Sequence, residues 1–453
     1  MTKTALLGLV ALGLRLGAQA REGPPLNVVL LVTDDQRWDA LGAAGNEVIH
    51  TPHLDRLAAE GVRFPYAFVT TSICMASRAS IFTGQYMSRH GITRFGQPIP
   101  PAAFAETYTA LLREAGYWTG FVGKYGVGRV RREDFDFVRA YAGRHWMQVD
   151  GERVHVTEQN ARDALAFLEE RPRDRPFLLS VSFFAPHAED GAPEQYLPQP
   201  WSARFYEGVR VPVPPRMDPS YLEALPAFLA DPQNEGRVRF RWRFDSPQRY
   251  QTSMINYFRL ITEVDGAVGR IVQSLRDQGV YENTLILFTS DNGYFHGERG
   301  LADKWYPYEE SIRVPLIVRD PRKDPGRRGA VLDPMVLNID LAPTIVAAAG
   351  LPVPARMQGR DLAPLILQAE PPAWRDEFFY EHPTITRRER IPTSLAVVRR
   401  DWKYVLWPEW DAEQLFDLQA DPTEKTNLAA EPDHAGTLEA MRARLRAWRE
   451  RAR

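Results

Sequence analysis

The sequence predicts an α/β protein whose central sheet is mostly parallel. Four near-continuous apolar runs, at residues 27–33, 118–123, 177–184 and 284–290, have the length of strands that are buried on both faces. Helical patterns lie between them, and the clearest one recurs at steps of three and four from Ile255 to Leu275, with Gly279 as a stop. A polar residue of chemical interest follows each apolar run. Because such sheets bind ligands beyond the carboxyl ends of their strands, we expect these polar residues to converge on one site.

The first twenty residues have the pattern of an export signal. Lys3 supplies a positive start, residues 5–14 form an apolar run, and Ala18 and Ala20 flank Gln19 as a small-x-small cleavage site. The sequence therefore predicts a signal peptide at 1–20 and a secreted or periplasmic protein. No later stretch approaches the roughly 18 apolar residues of a membrane helix, so no integral membrane segment is expected.

Composition excludes several classes of partner and site. The chain has 453 residues, with 56 Lys and Arg against 58 Asp and Glu and a net charge of −2. It lacks the basic field that would neutralise nucleic-acid phosphates, so nucleic acid is not an expected partner. A single cysteine excludes an intramolecular disulfide and any cysteine-based zinc or iron–sulfur site.

Two later regions differ in composition and in hydrophobic pattern from the predicted strands and helices before them. Residues 189–250 are rich in Pro, Trp, Tyr and Arg, which indicates either an insertion that shapes a substrate pocket or a structural loop region. After Pro364, short strand patterns precede an Arg-rich helix from Leu438 to Arg451. We therefore expect a main domain at 24–364 and a small α+β C-terminal domain with an antiparallel sheet at 365–453.

Paired oxygen ligands follow two of the predicted strands. Asp34 and Asp35 come after the first apolar run, and Asp291 and Asn292 come after the fourth. Adjacent carboxylates repel each other unless a cation lies between them. A structural role in a turn or as a helix N-cap would explain either pair alone. Both pairs at neighbouring strand ends favour a hard divalent cation, Ca²⁺ or Mg²⁺ rather than zinc.

The single cysteine precedes a short predicted helix. Ser72 is the expected N-cap and Gly84 the expected stop, so that Cys74 lies near the helix N-terminus and Arg78 shares its face. A fixed guanidinium at that place suits a tetrahedral oxyanion such as sulfate or phosphate. Taken alone, a lone cysteine is more often a small buried hydrophobic residue.

These residues resemble the sulfatase signature, in which Cys74, Ala76 and Arg78 precede Thr83 and Gly84. Further segments resemble the same family in the same order, namely Thr33 to Arg37, Thr51 to Ala58, Gly123 with Lys124, Ala185 to His187, Ser290 to Gly293, Lys304 with Tyr308 to Pro315, Leu415 to Leu418, Asp421 with Pro422, and Asn427 with Leu428. The resemblance implies an alkaline-phosphatase-like α/β sandwich with a mostly parallel central sheet and a small C-terminal sheet domain.

The resemblance also implies a chemistry. Cys74 would be oxidised to formylglycine by a maturation enzyme, and its hydrate would attack sulfur with the help of Asp291. One Ca²⁺ would be held by five residues: Asp34, Asp35, Asp291, Asn292 and the modified Cys74. Sulfate binding and charge stabilisation would fall to three cations: Arg78, Lys124 and Lys304. His187 would protonate the leaving alcohol.

Two positions depart from the family pattern. Ala76 stands where many members have proline, and Gly126 stands where many have a histidine that serves a later step. The glucosamine-6-sulfatase-like branch also lacks that histidine after a Lys-Tyr pair, so the resemblance leans toward this branch. His296 is a candidate replacement base or sugar contact, and Arg299 is a candidate substrate contact in the same loop.

The leading hypothesis is an exported sulfuric-ester hydrolase that acts on a sulfated sugar or glycan. The first alternative is a phosphodiester or phosphonate monoester hydrolase of the same superfamily, because Arg78 does not distinguish sulfate from phosphate. The second alternative is an inactive homologue that binds sulfated glycans. The retained site residues argue against the second alternative.

Overall fold

The computed structural model describes residues 25–141 and 143–453. The predicted signal peptide at 1–20 lies outside the described residues. Within the described ranges, no helix combines the length and apolar character that crossing a membrane requires.

The strands are two to seven residues long. In chain order they are β1 (Asn27–Thr33), β2 (Val62–Arg63), β3 (Ala67–Phe68), β4 (Trp118–Gly123), β5 (Phe137–Ala140), β6 (Trp146–Val149), β7 (Glu152–His155), β8 (Phe177–Ser182), β9 (Thr284–Ser290), β10 (Phe295–His296), β11 (Ala302–Asp303), β12 (Arg313–Val314), β13 (Leu316–Arg319), β14 (Ala330–Val331), β15 (Val336–Leu337), β16 (Glu377–His382), β17 (Ser394–Arg399), β18 (Trp402–Trp407) and β19 (Ala412–Asp417).

The helices range from single turns to one long element. In chain order they are α1 (Pro52–Glu60), α2 (Cys74–Thr83), α3 (Met87–His90), α4 (Pro101–Phe104), α5 (Tyr108–Glu114), α6 (Val156–Glu170), α7 (Pro219–Glu223), α8 (Ala227–Ala230), α9 (Glu235–Arg243), α10 (Pro247–Asp277), α11 (Glu309–Ile312), α12 (Leu341–Ala348), α13 (Ala363–Leu367) and α14 (Ala435–Arg451).

The main sheet has the strand order β14-β2-β13-β9-β1-β8-β4-β5. Strands β9, β1, β8, β4 and β5 are mutually parallel, whereas β13 runs antiparallel to β9 and to β2. The predicted α/β class with a mostly parallel sheet is confirmed. All four apolar runs are strands of this sheet, although the third ends at Ser182 rather than at residue 184.

Both faces of the sheet are covered, which explains the continuous apolar runs. Val28, Leu30 and Val32 of β1 belong to one buried hydrophobic cluster, and Val29 and Leu31 belong to the cluster on the opposite face. Because side chains alternate across a strand, burial on both sides requires apolar residues at nearly every position. These layers hold the carboxyl ends of the strands rigidly in place.

The long helix α10 packs against α1 and α6, and its buried residues share a hydrophobic cluster with one face of the sheet. It begins earlier than the periodicity predicts, because Ser246 caps it by accepting a hydrogen bond from the backbone N–H of Arg249 and Pro247 occupies its first turn. The preceding segment, 189–250, is not a featureless loop. It contains α7, α8 and α9, and α9 reaches the site described below.

The C-terminal part of the chain forms a separate antiparallel sheet in the order β16-β17-β18-β19, against which α14 packs. Strand β16 was not among the predicted strands. Its own residues Phe378, Phe379 and Tyr380 are buried and form a short apolar run that the sequence analysis did not use. The exact boundary at 364/365 stays a prediction.

Candidate active site

An acidic cluster of Asp34, Asp35, Asp291 and Asn292 lies at the carboxyl ends of β1 and β9. The two strands pair in register with Thr33 opposite Ser290, so the residues that follow emerge at the same level. The backbone N–H of Asp35 donates to Oδ1 of Asp291 at 3.2 Å, and Nδ2 of Asn292 donates to the same oxygen at 2.9 Å. The expected convergence of the two pairs is therefore present.

The acidic cluster fits a hard divalent cation. Oxygen atoms of Asp34, Asp35 and Asp291 all lie within 4.8 Å of one another. Within the described ranges, Oδ1 of Asp34 and Oδ1 of Asn292 are buried and accept no hydrogen bond. Burying unsatisfied acceptors is costly unless a cation or donor meets them. An all-oxygen donor set of this kind suits Ca²⁺ or Mg²⁺.

The charges of the cluster are strongly perturbed. Burial raises the pKa of Asp35 well above its usual range, and the neighbouring carboxylates Asp34, Asp303 and Asp291 raise it further against the opposing effect of Lys304. Burial also raises the pKa of Asp34, but Lys124, His187 and the other nearby cations outweigh it and hold this pKa below its usual range. Such opposed shifts within one cluster are typical of functional sites.

Cys74 is the first residue of α2, directly beside the acidic cluster. Its sulfur lies within 4.8 Å of an oxygen of Asp34 and a ring nitrogen of His187. Burial raises the pKa of the Cys74 thiol to about 12. Since the thiolate is the nucleophilic form, burial disfavours attack by the unmodified side chain.

The predicted cap of α2 is wrong in one detail. The N-cap position belongs to Ile73, and no side chain caps the helix. The hydroxyl of Ser72 lies 2.6 Å from that of Tyr380 on β16 instead. The C-terminus is as predicted, because Gly84 takes a left-handed conformation with φ 66°.

Three cations, of which Arg78 and Lys304 are buried and Lys124 is half-buried, surround Cys74 and the acidic cluster. Nε of Arg78 donates to Oδ2 of Asp291 at 2.7 Å, and Nζ of Lys304 lies 2.5 and 2.6 Å from the two carboxylate oxygens of Asp35. Lys124 forms an ion pair with Asp34. Arg78 also contacts Ser182, a residue at the end of β8 that the sequence analysis missed. These cations can hold an oxyanion beside Cys74.

His187 follows β8 and points into the same space. Its Nδ1 lies 2.6 Å from the carbonyl oxygen of Ala188, which can only accept, so Nδ1 carries the hydrogen and Nε2 faces Asp35 at 3.5 Å. Burial and the neighbouring Lys304 and Lys124 lower the pKa of His187 to about 4. A bound anion would offset the two lysines and raise this pKa toward the range of a general acid.

Cys74, Lys124, His187 and Lys304 line one cavity of about 390 Å³. Further lining residues come from the 189–250 insertion and from the loop between β16 and β17, and those with charged side chains are Asp190, Glu235, Arg239 and Arg390. Sequence reasoning did not identify these four. The place of Asp190, three residues after His187, and the spacing of Arg239 from Glu235 on one helix face were the available signals.

Position 126 has no room for the histidine of the family pattern. Gly126 has φ +76°, and a Cβ atom there would lie 2.5 Å from Cδ of Arg78. The stem of Arg78 therefore occupies the space that a side chain would need. This explains the glycine and leaves no base at this position.

His296 and Arg299 do not line the cavity that contains Cys74. The ring of His296 is buried 4.6 Å from that of Tyr257, and burial lowers its pKa well below the usual range. His296 lines a different cavity together with Glu298. Arg299 is buried against Glu310 and donates to the backbone oxygen of Glu424 at 2.9 Å. Contact of these two side chains with substrate stays a prediction.

Two protein-family models match this chain. The model of the sulfatase family matches residues 26–351. A second model, described as the C-terminal part of N-sulphoglucosamine sulphohydrolase, matches residues 297–451. The two matches together span the described elements from β1 to α14.

One curated relative is an N-acetylglucosamine-6-O-sulfatase from Bacteroides thetaiotaomicron, 27% identical over 95% of this chain and 88% of the relative. A solved structure in complex with its substrate D-glucosamine-2-N,6-O-disulfate has a TM-score of 0.80 at 24% identity, covering 95% of this chain and 98% of that one. The phosphonate monoester hydrolase of Agrobacterium radiobacter has a TM-score of 0.79 at 24% identity, covering 94% and 96%. The two structures establish the alkaline-phosphatase-like fold without separating the two chemistries, whereas the sequence match over most of the chain shows that the protein belongs to the sulfatase family.

Proposed function

We propose that the chain is an exported sulfatase that removes sulfate from a sulfated sugar, with Cys74 oxidised to formylglycine and one Ca²⁺ in the acidic cluster. The observation that carries the proposal is that Cys74, Lys124, Lys304 and His187 line one cavity, while Arg78, Lys124 and Lys304 pair with aspartates of the acidic cluster. The raised pKa of the Cys74 thiol supports the modification, because burial disfavours the thiolate, which is the nucleophilic form of cysteine.

The cation would be held by Asp34, Asp35, Asp291, Asn292 and the modified side chain at 74, and it would supply Lewis-acid polarisation of the nucleophile and of the sulfate oxygens. Formylglycine would supply a hydrated aldehyde, whose hydroxyl is the nucleophile toward sulfur. A maturation enzyme would produce it from Cys74.

The remaining steps belong to side chains of this chain. Arg78, Lys124 and Lys304 hold the sulfate and stabilise the charge that develops in the transition state. Each of them already contacts an aspartate of the acidic cluster, which fixes its head group without a loss of entropy at the moment of binding. His187 presents Nε2 to the leaving alcohol and donates its proton there, while the hydrogen bond from Nδ1 to Ala188 keeps the ring oriented.

A sugar substrate is favoured over a simple anion by the outer cavity. Beyond the sulfate-binding cations, the lining combines apolar side chains with polar ones, among them Trp305, Ile391 and Arg239. This combination suits a pyranose ring, which has apolar C–H faces and a polar edge. The sulfated amino sugars of the relatives described above are the first compounds to test.

Mass spectrometry of active protein tests the modification. The peptide that contains residue 74 should lose about 18 Da relative to cysteine, since CHO replaces CH₂SH. The protein must be made with a maturation enzyme, and Cys74→Ala is the matched inactive control. Active material that contains only the unmodified thiol would overturn the formylglycine mechanism.

An activity panel tests the reaction. Glucosamine 6-sulfate, N-sulfoglucosamine and 4-nitrophenyl sulfate are compared with a phosphate diester and a phosphonate monoester at equal concentration. We expect a higher kcat/KM on at least one sugar sulfate than on either phosphorus ester. Preference for the phosphonate ester would instead support the alternative hydrolase. Loss of activity with a chelator and recovery with Ca²⁺, but not with Zn²⁺, tests the metal.

A further inference from the structure

The candidate cavity extends beyond the sulfate-binding cations toward a second polar group. Asp190 follows His187 by three residues in the same loop, and Arg239 comes from the middle of α9. Both line the cavity that contains Cys74. The side chain of Asp190 is 33% exposed and that of Arg239 is 14% exposed, so both are accessible from the cavity yet partly enclosed.

Two guanidinium groups orient the side chain of Asp190. Those of Arg239 and Arg243 both contact its Oδ1. Within the described ranges no side-chain or backbone donor forms a hydrogen bond to Oδ2, which therefore keeps its capacity to accept one. A carboxylate whose orientation is fixed by two guanidinium groups is a preorganised acceptor.

The network that orients Asp190 is anchored on both sides. Nε of Arg239 donates to Oε1 of Glu235 at 2.7 Å. Arg243 is buried and donates to Oδ2 of Asp303 at 2.9 Å, and Oδ1 of Asp303 lies 3.6 Å from Nζ of Lys304. The outer pair is thus connected through buried side chains to the residues that hold sulfate.

The direction of the substrate follows from His187. The leaving oxygen must lie within reach of Nε2 of His187, so the carbon skeleton attached to it extends into the remainder of the cavity. Asp190 and Arg239 lie in that remainder, together with the apolar side chains of Phe95, Trp305 and Ile385. A ring placed there meets apolar contacts and hydrogen-bonding groups at once.

The charge of this outer region indicates what kind of group it binds. The guanidinium groups of Arg239, Arg243 and Arg390 are matched by the carboxylates of Asp190, Glu235 and Asp303. These pairs leave no net positive charge for a second sulfate or a uronate. The guanidinium donors and carboxylate acceptors of these pairs together suit neutral hydroxyl groups, which both donate and accept hydrogen bonds.

We propose that Asp190 and Arg239 determine specificity by binding a hydroxyl group of the sugar ring next to the sulfated position. Oδ2 of Asp190 accepts the hydroxyl hydrogen, and the guanidinium group of Arg239 donates to a ring or hydroxyl oxygen. This inference rests on the proposed sulfatase function and names the part of the substrate that this function leaves open.

The test compares three substrates in the full-length, matured enzyme. They are a hexosamine sulfate, its analogue that lacks the hydroxyl next to the sulfated position, and 4-nitrophenyl sulfate, which has no hydroxyl to bind. In Asp190→Asn, the ratio of kcat/KM for the sugar sulfate over that for nitrophenyl sulfate should fall by about 10- to 100-fold, since one hydrogen bond to a charged group is lost. The ratio for the deoxy analogue should stay within about twofold, because that bond never forms.

Arg239→Gln provides a second variant with the same expected direction, and Glu194→Gln is the matched control. Glu194 is an exposed carboxylate in the same loop and does not line the cavity. Its three rates should equal those of the wild type. If Asp190→Asn fails to fold, as judged by its Tm, the Arg239→Gln ratio decides.

Equal losses on all three substrates would assign Asp190 to positioning His187 and would overturn the proposal, as would unchanged ratios. A disulfated hexosamine is measured as a fourth substrate, and a larger loss on it than on the monosulfated sugar in Asp190→Asn would overturn the hydroxyl assignment. Wild-type enzyme that cleaves no sulfate ester is a separate result, because it would overturn the proposed function itself and the inference with it.

Discussion

Arg78 occupies the space that a side chain at position 126 would need. Arg78 therefore restricts which residue can stand at position 126. Nε of Arg78 reaches Asp291, its Nη1 reaches the carbonyl oxygen of Lys124 at 2.7 Å, and its stem passes over Gly126. Two hydrogen bonds of the guanidinium group and one contact of the stem therefore hold the side chain of Arg78 in place. Small changes at position 126 should act through Arg78 rather than through the backbone alone.

Replacing Gly126 by alanine should lower kcat/KM on sulfate esters by at least about tenfold, because a misplaced charged group at a reacting centre is costly. The control is Gly151→Ala, which has φ +85° and no atom within 4 Å of an added Cβ. The control should lose roughly 1–2 kcal/mol of stability from the left-handed conformation alone and keep its activity. Equal activities of the two variants would show that the Arg78 contact is not needed.

His187 differs from the other site residues in that its contribution should depend on the leaving group. A sugar alkoxide is a strong base and needs a proton as it leaves, whereas nitrophenolate needs little help. His187→Ala should therefore lose about 10²–10⁴-fold on a sugar sulfate and much less on nitrophenyl sulfate. The exposed His53 gives the control variant His53→Ala. Equal losses on both substrates would indicate sulfate binding instead of proton donation.

At the scale of elements, α10 positions its neighbours through two buried carboxyl groups. Glu263 accepts hydrogen bonds from the backbone N–H of Gln199 at 2.6 Å and from the hydroxyl of Ser202 at 2.7 Å. Asp265 accepts from the backbone N–H of Leu54 at 2.7 Å and so satisfies a free donor in the first turn of α1. The helix thereby holds both a loop of the insertion and the start of another helix.

Burial raises the pKa of Glu263 to about 7 from its ordinary value of 4.5. The folded protein therefore binds this proton between pH 4.5 and 7 while the unfolded chain has released it, so stability falls as pH rises through that window. The facing His155 lies 3.6 Å away with a pKa lowered to about 4 by burial, so it stays neutral there.

Glu263→Gln should remove this slope, which is worth about 1.4 kcal/mol for each unit of pKa difference. The free energy of unfolding, measured with urea at pH 5, 6 and 8, should fall with pH more steeply in the wild type than in the variant. The exposed Glu169 provides the control Glu169→Gln, whose slope should match that of the wild type. Parallel curves for Glu263→Gln and the wild type would contradict the assignment.

At the scale of the whole molecule, a buried ion cluster joins the C-terminal sheet to the rest of the protein. Lys403 of β18 is fully buried, forms an ion pair with Glu424, and donates to Oε1 of Glu309 on α11 at 3.1 Å. Arg299 contacts Glu424 from the other side at 3.6 Å. This cluster holds the side chain of Arg299 away from the cavity that contains Cys74.

Lys403→Met should destabilise the protein by about 3–5 kcal/mol, because it leaves buried carboxylates without their partner. Lys403→Met combined with Glu424→Gln should recover part of this loss, since the second change removes the uncompensated charge. Urea midpoints of the single and double variants provide the measurement. A double variant less stable than Lys403→Met alone would show that Glu424 is stabilised mainly by Arg299.

The sequence by itself determined the fold class, four of the eight strands of the main sheet and the residues at the ends of those four. It could do so because burial on both faces forces continuous apolar runs, and because polar side chains directly after such runs have one shared destination. Asp34, Asp35, Lys124, His187, Asp291 and Asn292 were singled out in this way. Cys74 and Arg78 were singled out from a predicted helix, and Lys304 from the residue order that resembles the family.

The tertiary structure alone decided which of the remaining polar residues reach the cavity. His296 and Arg299 are close in sequence to Asp291 and Asn292 but do not line the cavity, whereas Arg239 and Arg390 reach it from distant segments and Asp190 from the loop that carries His187. Local sequence carries the period of a helix or strand, but the direction of a loop side chain depends on what packs against it from elsewhere in the chain. For the same reason the absence of a side chain at Gly126 has a cause, the stem of Arg78, that only the folded molecule reveals.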